Sequence, residues 1–380
     1  MRPDGDPDRK HIAVFLVGGI GGGIALQGVP AIGALTRGLA EKFEISVYSL
    51  NPPGLGFRPD GYTVRSPPGS LGRHLVKKLR WSWLASQFLA EHWRRPHHLL
   101  FSFWGYPMGL FVVALAKLVQ RPSVVTIMGA EAASVPAIGY GHMRLPNTRR
   151  LVLETCSRAS SVVVLSDHQR ATLRRYGLRR DDLQVIPFGI DRGMFPQKVI
   201  SHDPPLKLLH VAHLTEVKDQ PTLLRGFALL RRHLAAKLRI VGPDYLNGKL
   251  QRLVAELNLQ EDVSFVGPLP YTEIPAQFNW ADMFVLTSLS EGQSTALAEA
   301  AMSGVLQVST PVGCIFDEGE DAAVVVRFGD PIDLATKIRQ IAEDHAEWDR
   351  KVARAQKWAQ SHDLQWTVAQ FTDVIHGTCS

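Results

Sequence analysis

Residues 283–304 read MFVLTSLSEGQSTALAEAAMSG, and this stretch predicts a β-strand, a loop and an α-helix in that order. Residues 283–287 form a short apolar run of the kind found in buried strands, and the helical pattern that follows ends near Gly304. Glu291 stands in the loop, and Glu299 stands about two turns into the helix. Ligands bind at the carboxyl ends of strands in open parallel sheets, so this loop predicts a ligand site.

The start of this helix predicts an anion site. Backbone N–H groups in the first turn of a helix have no intrahelical acceptor, and the helix dipole places positive charge at the same end. The amides at this point belong to Gly292, Gln293, Ser294 and Thr295. A diphosphate fits such a terminus. An isolated pair of glutamates here also fits an ordinary helix with acidic residues in its first turn.

A second loop brings a cation to the same edge. Residues 211–219 read VAHLTEVKD and lie between a predicted strand and a predicted helix. Parallel strands of one sheet end at a common edge, so we expect Lys218 to lie beside Glu291, with His213 nearby. A cation and a helix terminus that face a common point form a phosphate clamp.

The whole chain alternates short apolar runs with helical patterns, which predicts parallel sheets covered by helices. The predicted strands of the first half are residues 12–17, 45–50, 98–102, 124–128, 161–165 and 184–186. Those of the second half are residues 207–212, 237–241, 263–266, 283–287, 306–309 and 323–326. The fold class is therefore α/β, with two Rossmann-like domains.

The length of 380 residues also predicts two domains, because single cores stop growing at about 250–300 residues. Residues 192–205 lack periodicity and contain three prolines, which indicates a linker. The predicted domains are residues 1–195 and 206–350. A further helix is predicted over 358–375, and the residues themselves do not identify the domain that it contacts.

Composition excludes disordered and fibrous classes, since 45% of the residues are hydrophobic and 21% are charged. The net charge of +6 suits an anionic partner, but nucleotide diphosphates, anionic lipid and nucleic acid all meet that condition. Three distant cysteines without a CxxC pair favour a reducing, cytoplasmic location. The apolar run 12–35 is long enough to span a bilayer, but the five glycines within residues 18–23 favour a strand, a tight turn and a helix.

These signals together resemble the retaining glycosyltransferases of family four, which have the GT-B architecture. The Glu-x7-Glu motif of the family matches Glu291 and Glu299, and its lysine after the first strand of the second domain matches Lys218. The Ile-Pro-x-Gly-x-Asp signature of its linker matches residues 186–191. The resemblance covers most of residues 160–335, and the weaker agreements are Ser166, the turn 311–313 and the segment 329–331.

The resemblance implies a role for each matching position. Glu291 and the amides after it would hold the donor sugar, Glu299 the ribose, and Lys218 the diphosphate. The loop around Gly267 would lie against the base. The glycine loop after the first strand, which includes Gly19 and Gly22, would approach the donor phosphates or the acceptor, although a simple tight turn explains this cluster equally well. The C-terminal residues 355–380 would cross back to the first domain.

The chemistry that follows is metal-independent transfer of a hexose with retention of configuration. Charge develops on the leaving diphosphate, so Lys218 and the helix amides stabilise the transition state. No DxD motif follows a predicted strand, and no close cluster of metal-ligand residues has a recognisable spacing. We therefore predict neither a metal nor a cofactor, and the nucleotide diphosphate sugar is a substrate.

Two positions depart from the family pattern. The family usually has an arginine at the position of His213, and often a His-Gly pair at residues 128–129, where this chain has Met-Gly. Histidine is only partly protonated at neutral pH, and Met128 is unsuited to bonding a sugar hydroxyl. A core position is the preferred interpretation of Met128. A non-catalytic homologue that binds a nucleotide sugar or serves as an assembly partner is therefore the alternative hypothesis.

A basic segment, Arg73 to Trp83, favours contact with a membrane surface. Leu71, Leu75, Leu79 and Trp83 recur every four residues among lysines and arginines. This is typical of an interfacial helix on anionic lipid, and equally of a core-facing helix with a basic outer side. The expected partners are a nucleotide sugar donor, a glycan or lipid-linked acceptor, and the inner face of a membrane. Nucleic acid is not expected, because no recognition module is present.

Overall fold

The computed structural model describes residues 9–23, 28–68, 76–200 and 202–379. Its strands form two sheets. The strands of the first sheet are β1 (His11–Leu16), β2 (Glu44–Ser49), β3 (Thr63–Arg65), β4 (Leu99–Phe103), β5 (Ser123–Ile127), β6 (Ser161–Val164) and β7 (Gln184–Val185). Those of the second are β8 (Leu206–Val211), β9 (Ala236–Val241), β10 (Val263–Gly267), β11 (Met283–Leu286), β12 (Leu306–Ser309) and β13 (Val324–Val325).

Helices connect the strands and cover both faces of each sheet. Those of the first half are α1 (Pro30–Lys42), α2 (Val76–Arg94), α3 (Leu110–Leu118), α4 (Pro146–Arg158) and α5 (Asp167–Arg175). Those of the second half are α6 (Gln220–Leu230), α7 (Lys249–Glu256), α8 (Ile274–Trp280), α9 (Thr295–Met302), α10 (Cys314–Glu318), α11 (Pro331–Glu343), α12 (His345–Ser361) and α13 (Leu364–Cys379).

Both sheets are parallel throughout, with strand orders β3-β2-β1-β4-β5-β6-β7 and β10-β9-β8-β11-β12-β13. The predicted α/β class with two Rossmann-like domains is confirmed. In each sheet the strand order reverses beside the first strand of the domain, at β1–β4 and at β8–β11. These topological switch points are where crevices form at the carboxyl ends of the strands.

The predicted strands are all present, but β3 was missed. Its three residues, Thr63–Arg65, lie at the sheet edge, and only Val64 packs partly against the core. So short an edge strand leaves no alternating or continuous apolar pattern. By contrast, all six residues of β1 are buried, as expected for a strand covered on both faces. The run 12–35 therefore reflects a buried strand and α1. Across the described ranges, no helix has both the length and the apolar character needed to cross a bilayer.

The C-terminal segment differs from the single helix predicted over 358–375. It forms two helices, α12 and α13, which are separated at His362 and Asp363. Helix α12 packs on α9 and belongs to the second domain, so the helix that crosses back covers 364–379 and not 355–380. Phe371 of α13 is buried in the first-domain core.

The break between these helices is set by tertiary contacts. A Cβ at Gly189 would lie 2.0 Å from the carbonyl oxygen of Asp363, so the linker 186–191 runs directly against the turn. The amide of Leu364 donates to the carbonyl of Ile190 at 3.2 Å, and Thr367 accepts the amide of Gly189 at 2.8 Å. The linker 186–191 and the start of α13, where the chain passes between the domains, are thus hydrogen-bonded to each other. No local sequence pattern could indicate this.

Candidate functional site

A cleft of about 1290 Å³ lies between the carboxyl edges of the two sheets. The first domain lines it with the glycine loop after β1, with Arg37 of α1 and with Met128. The second domain lines it with His213 and with the ionisable side chains of Lys218, Glu291 and Glu299.

Lys218 and Glu291 meet because β8 and β11 are neighbours at the switch point. The ammonium of Lys218 lies 2.5 Å from Oε1 of Glu291, which confirms the predicted proximity. The hydroxyl of Thr287 donates to the carbonyls of Lys218 (3.1 Å) and Asp219 (2.9 Å), so the two loops are fastened to each other. Ser288 also donates to Oε1 of Glu291, at 2.6 Å. Glu291 is therefore held by one cation and one hydroxyl.

The start of α9 opens into the cleft beside this ion pair. Ser294 caps the helix with a left-handed backbone (φ +67°), and its side chain accepts no capping bond. Residues Gly292 to Thr295 line the cleft, so the amides of the helix start lie at its wall. Gly292 cannot be replaced without movement, because a Cβ there would lie 2.1 Å from the carbonyl oxygen of Met128.

The same loop joins the two domains. Ser166, at the start of α5, donates to the carbonyl of Gly292 at 2.6 Å. The buried side chain of Gln293 exchanges two 2.7 Å hydrogen bonds with the backbone of Phe188 in the linker. Both polar groups of the Gln293 side chain are therefore bonded to the linker. Its side-chain role was missed because no sequence signal distinguishes it from a helix-start residue.

An acidic contact of α10 adds to this junction. The carboxylate of Asp317 accepts the amides of Asp167 (2.9 Å) and His168 (3.3 Å) at the start of α5. Burial raises the pKa of Asp317 to about 6, and the two amide bonds oppose that shift. This contact could not be predicted, since an aspartate in a short helix carries no recognisable signal.

Glu299 lies deeper in the wall than Glu291. Its side chain is only 5% exposed, and the hydroxyl of Tyr271 donates to Oε1 at 3.0 Å. Burial raises the pKa of Glu299 to about 7, and the bond from Tyr271 opposes this rise. Burial, together with the charge of Glu299, raises the pKa of Tyr271. Tyr271 was not predicted as a site residue, because its partner lies twenty-eight residues further along the chain.

His213 lies at the rim of the cleft. Its ring lies 5.5 Å from the ring of Tyr245. Partial burial and the positive charge of Lys218 lower the pKa of His213. Below it, Nδ1 of the fully buried His210 donates to the carbonyl of Val285 (2.8 Å), and burial lowers the pKa of His210 to about 4.

Of the predicted site glycines in the two domains, those of the first domain line the cleft and Gly267 does not. Gly19 and Gly22 line the cleft, and nothing lies within 4 Å of a Cβ placed at Gly22. Gly19 has φ +97° and its carbonyl accepts the amide of Val29 at 2.7 Å, so it forms the turn that leads into α1. Gly267 does not line the cleft, whereas the next two residues, Pro268 and Leu269, do.

Met128 has two roles in the described structure. Its side chain packs partly against the first-domain core and also lines the cleft, while its carbonyl faces Gly292. The expected core packing is thus observed together with a position at the site.

A group with metal-ligand spacing lies at the opposite end of the first sheet. The side chains of His11, Glu91 and His97 offer ligand atoms within 4.8 Å of one another. Glu91 already accepts bonds from Tyr48 (2.7 Å) and Arg65, and these outweigh burial and lower its pKa to about 2. With a guanidinium already paired to its carboxylate, this cluster forms a structural polar network beneath the sheet.

The geometry agrees with comparisons to known proteins. Residues 31–193 match the model described as Glycosyltransferase Family 4, and residues 205–344 match the model described as Glycosyl transferases group 1. The putative colanic acid biosynthesis glycosyltransferase WcaL of Salmonella typhimurium is 26% identical over 283 residues, which cover 71% of this chain and 68% of that protein. WcaL of Escherichia coli K12 is 30% identical over 161 residues, 40% of each chain.

Solved structures share the whole architecture. Sucrose-phosphate synthase from Thermosynechococcus elongatus superposes with a TM-score of 0.79 at 19% identity, over 97% of this chain and 99% of that one. Anabaena HepE, solved in complex with UDP and glucose, superposes with a TM-score of 0.75 at 17% identity, over 97% and 100%. Both family models and these folds agree with the sequence motifs. The chain belongs to the glycosyltransferases of family four, with the GT-B architecture.

Proposed function

We propose that this protein transfers a hexose from a nucleotide diphosphate sugar to a glycan or lipid-linked acceptor, with retention of configuration and without a metal ion. The observation that carries the proposal is the convergence of Lys218, Glu291, Glu299 and the start of α9 on one wall of the cleft. HepE, which shares this architecture, was solved with UDP and glucose, and this supports a donor of the same class.

The donor would lie along this wall with its parts in a fixed order. The ribose meets Glu299, the diphosphate meets Lys218 and the amides of α9, and the sugar meets Glu291. The bond from Lys218 to Glu291 gives each group a partner before the donor binds. When the diphosphate binds, the ammonium of Lys218 donates hydrogen bonds to phosphate oxygens, and Glu291 becomes available to the sugar hydroxyls.

Transfer breaks the bond between the anomeric carbon and the diphosphate oxygen. Negative charge builds on the leaving group, and Lys218 with the helix dipole stabilises it more strongly than it stabilises the bound donor. The acceptor hydroxyl attacks on the face that the leaving group vacates, so its proton passes to the nearest departing phosphate oxygen. In other transferases a divalent cation neutralises this charge. Here Lys218 and the helix dipole would neutralise it, and this supports metal independence.

A thermal-shift screen against UDP, GDP, ADP and their sugar conjugates tests the donor class. A ligand at 100 times its dissociation constant stabilises the fold by about 2.7 kcal/mol, which gives a clear shift in Tm. A sugar conjugate that raises Tm is then incubated with the protein. NMR measures the release of the nucleoside diphosphate and the anomeric configuration of the product. Binding without turnover towards any acceptor or water would favour the non-catalytic alternative.

We further propose that α2 contacts anionic lipid, which suits a lipid-linked acceptor. Arg73 and the first leucines of the basic segment lie outside the described residues, as do the side chains of Lys77 and Lys78. Leu79 is 55% exposed, whereas Leu84 and Phe88 are buried and Trp83 packs partly against the same core. Of the described stripe residues, Leu79 therefore lies outside the buried face. An exposed leucine beside basic residues supports an interfacial role.

Flotation with anionic vesicles tests this contact. Each basic residue near such a surface contributes about 1 kcal/mol, so replacing Lys77, Lys78 and Arg80 by glutamine should strongly reduce flotation at low salt. Replacing Arg232 by glutamine, in the second domain, serves as the control for loss of charge alone. Unchanged flotation of the triple variant would exclude this segment as the contact.

A further inference from the structure

The carboxylate of Glu299 is buried with a single donor. Within the part of the chain that the structure describes, the hydroxyl of Tyr271 is the one group that donates to it, at 3.0 Å to Oε1. An ionised carboxylate offers about four lone-pair sites, and burial of this group with few donors is unfavourable. Glu299 lines the cleft, and Oε2 is not among the fully buried side-chain atoms that lack a partner, so Oε2 reaches the cleft without a donor from the described residues.

This environment differs from that of Glu291, although the two belong to one motif. Glu291 is bonded by the ammonium of Lys218 and the hydroxyl of Ser288. Among the residues that the structure describes, no cation is paired with Glu299, and its hydrogen bond comes from a neutral phenol. An acceptor of this kind is suited to neutral hydroxyl donors, and it is not suited to a phosphate, which would place two anions together.

The position of Tyr271 is set by its own segment. Pro270 precedes it with φ −56°, and Tyr271 begins a single 3-10 turn that leads directly into α8. Its ring lies 5.8 Å from that of Phe195, and both Tyr271 and Glu299 line the cleft. The phenol is thus held against Oε1 by backbone and packing, and it fixes the orientation in which the carboxylate presents Oε2.

We infer that Tyr271 is a positioning residue that determines nucleotide specificity. By holding Oε1 of Glu299 it directs Oε2 towards one ribose hydroxyl, so that the site selects ribonucleotides over deoxyribonucleotides. The inference rests on the proposed function, in which Glu299 faces the ribose. Removing the Tyr271 hydroxyl should therefore weaken the bond between Glu299 and one ribose hydroxyl. The contacts to the diphosphate should remain intact.

Calorimetry tests this with the best binder among UDP, GDP and ADP, together with its 2′-deoxy and 3′-deoxy forms. We expect the wild-type protein to bind the ribonucleotide about tenfold more tightly than one of the deoxy forms. In Tyr271→Phe this ratio should fall to within about twofold, because the affinity for the ribonucleotide falls and that for the deoxy form does not. Tyr62→Phe, which removes a phenol on the opposite side of the cleft, should keep the wild-type ratio.

A second variant guards against misfolding of the first. Glu299→Gln should lose the same discrimination, and combining it with Tyr271→Phe should add little, since both act on one contact. Equal loss of affinity for the ribo and deoxy forms in Tyr271→Phe would overturn the inference while leaving the donor site in place. Failure of every diphosphate to bind the wild-type protein would instead overturn the proposed function, and the inference with it.

Discussion

The two walls of the cleft differ in chemistry. The second-domain wall carries His213, Lys218, Glu291 and Glu299. Among the described residues before the linker 186–191, the first-domain wall carries one charged side chain, Arg37 of α1, and Asp191 of the linker also lines the cleft. Lys218, Glu291 and Glu299 are already bonded to partners within the site. The rest of the first-domain wall is glycine backbone, aromatic rings and aliphatic groups.

This difference separates two tasks. A wall of fixed, paired charges suits one ligand of invariant chemistry, the nucleotide diphosphate, because its electrostatics are preorganised. An apolar wall with a single cation imposes few requirements and suits acceptors that vary. If this interpretation is right, substitutions on the second-domain wall should affect donor binding and turnover, and matched substitutions on the first-domain wall should not affect donor binding.

The largest expected effect is that of Glu291→Ala on turnover. Loss of a charged hydrogen bond of about 2 kcal/mol to the reacting sugar corresponds to about a thirtyfold decrease in kcat. Affinity for the nucleoside diphosphate should change little, because Lys218 gains freedom to face the phosphates. Steady-state kinetics and calorimetry on the same protein measure both. Equal losses in the two quantities would refute the assignment of Glu291 to the sugar.

A smaller effect is expected when the cation is removed from either wall. Lys218→Gln should weaken binding of the nucleoside diphosphate about tenfold, because a charge-assisted bond to phosphate is lost and Glu291 is left without its partner. Arg37→Gln removes the cation of the opposite wall and should change that affinity by less than about twofold. Similar losses from both variants would show that the diphosphate contacts both walls.

The smallest effect concerns His213. The pKa of His213 is already lowered by partial burial and by Lys218, so the ring is largely neutral at pH 7 in the empty site. A bound dianion favours the imidazolium, so affinity for the diphosphate should be highest below the pKa of His213 in the complex and decline as pH rises through it. His213→Arg keeps its charge and should bind about threefold more tightly at pH 8, with a flatter pH dependence.

Calorimetry at pH 6 and pH 8 on both proteins compares them directly. Protonation of the ligand affects both proteins alike, so the difference between their pH profiles belongs to residue 213. Identical affinities at pH 8 would mean that His213 faces away from the phosphates.

The sequence predicted one part of the second-domain wall and missed another, for physical reasons. Lys218 and Glu291 follow strands whose common edge is fixed by parallel topology, so their meeting could be inferred from the order of elements. Tyr271 and Gln293 act through contacts made only in the folded chain, and their residue types carry no local signal. The break at His362 was missed for the same reason, because its cause is the approach of Gly189.

The two glutamates of the Glu-x7-Glu motif are proposed to face opposite ends of the donor. A direct test compares the variants Glu291→Ala and Glu299→Ala. Turnover and nucleoside diphosphate affinity are measured for both variants under one set of conditions. We expect Glu291→Ala to lose turnover while keeping nucleotide affinity, whereas in Glu299→Ala nucleotide affinity should fall first. The same pattern in both variants would contradict this proposal.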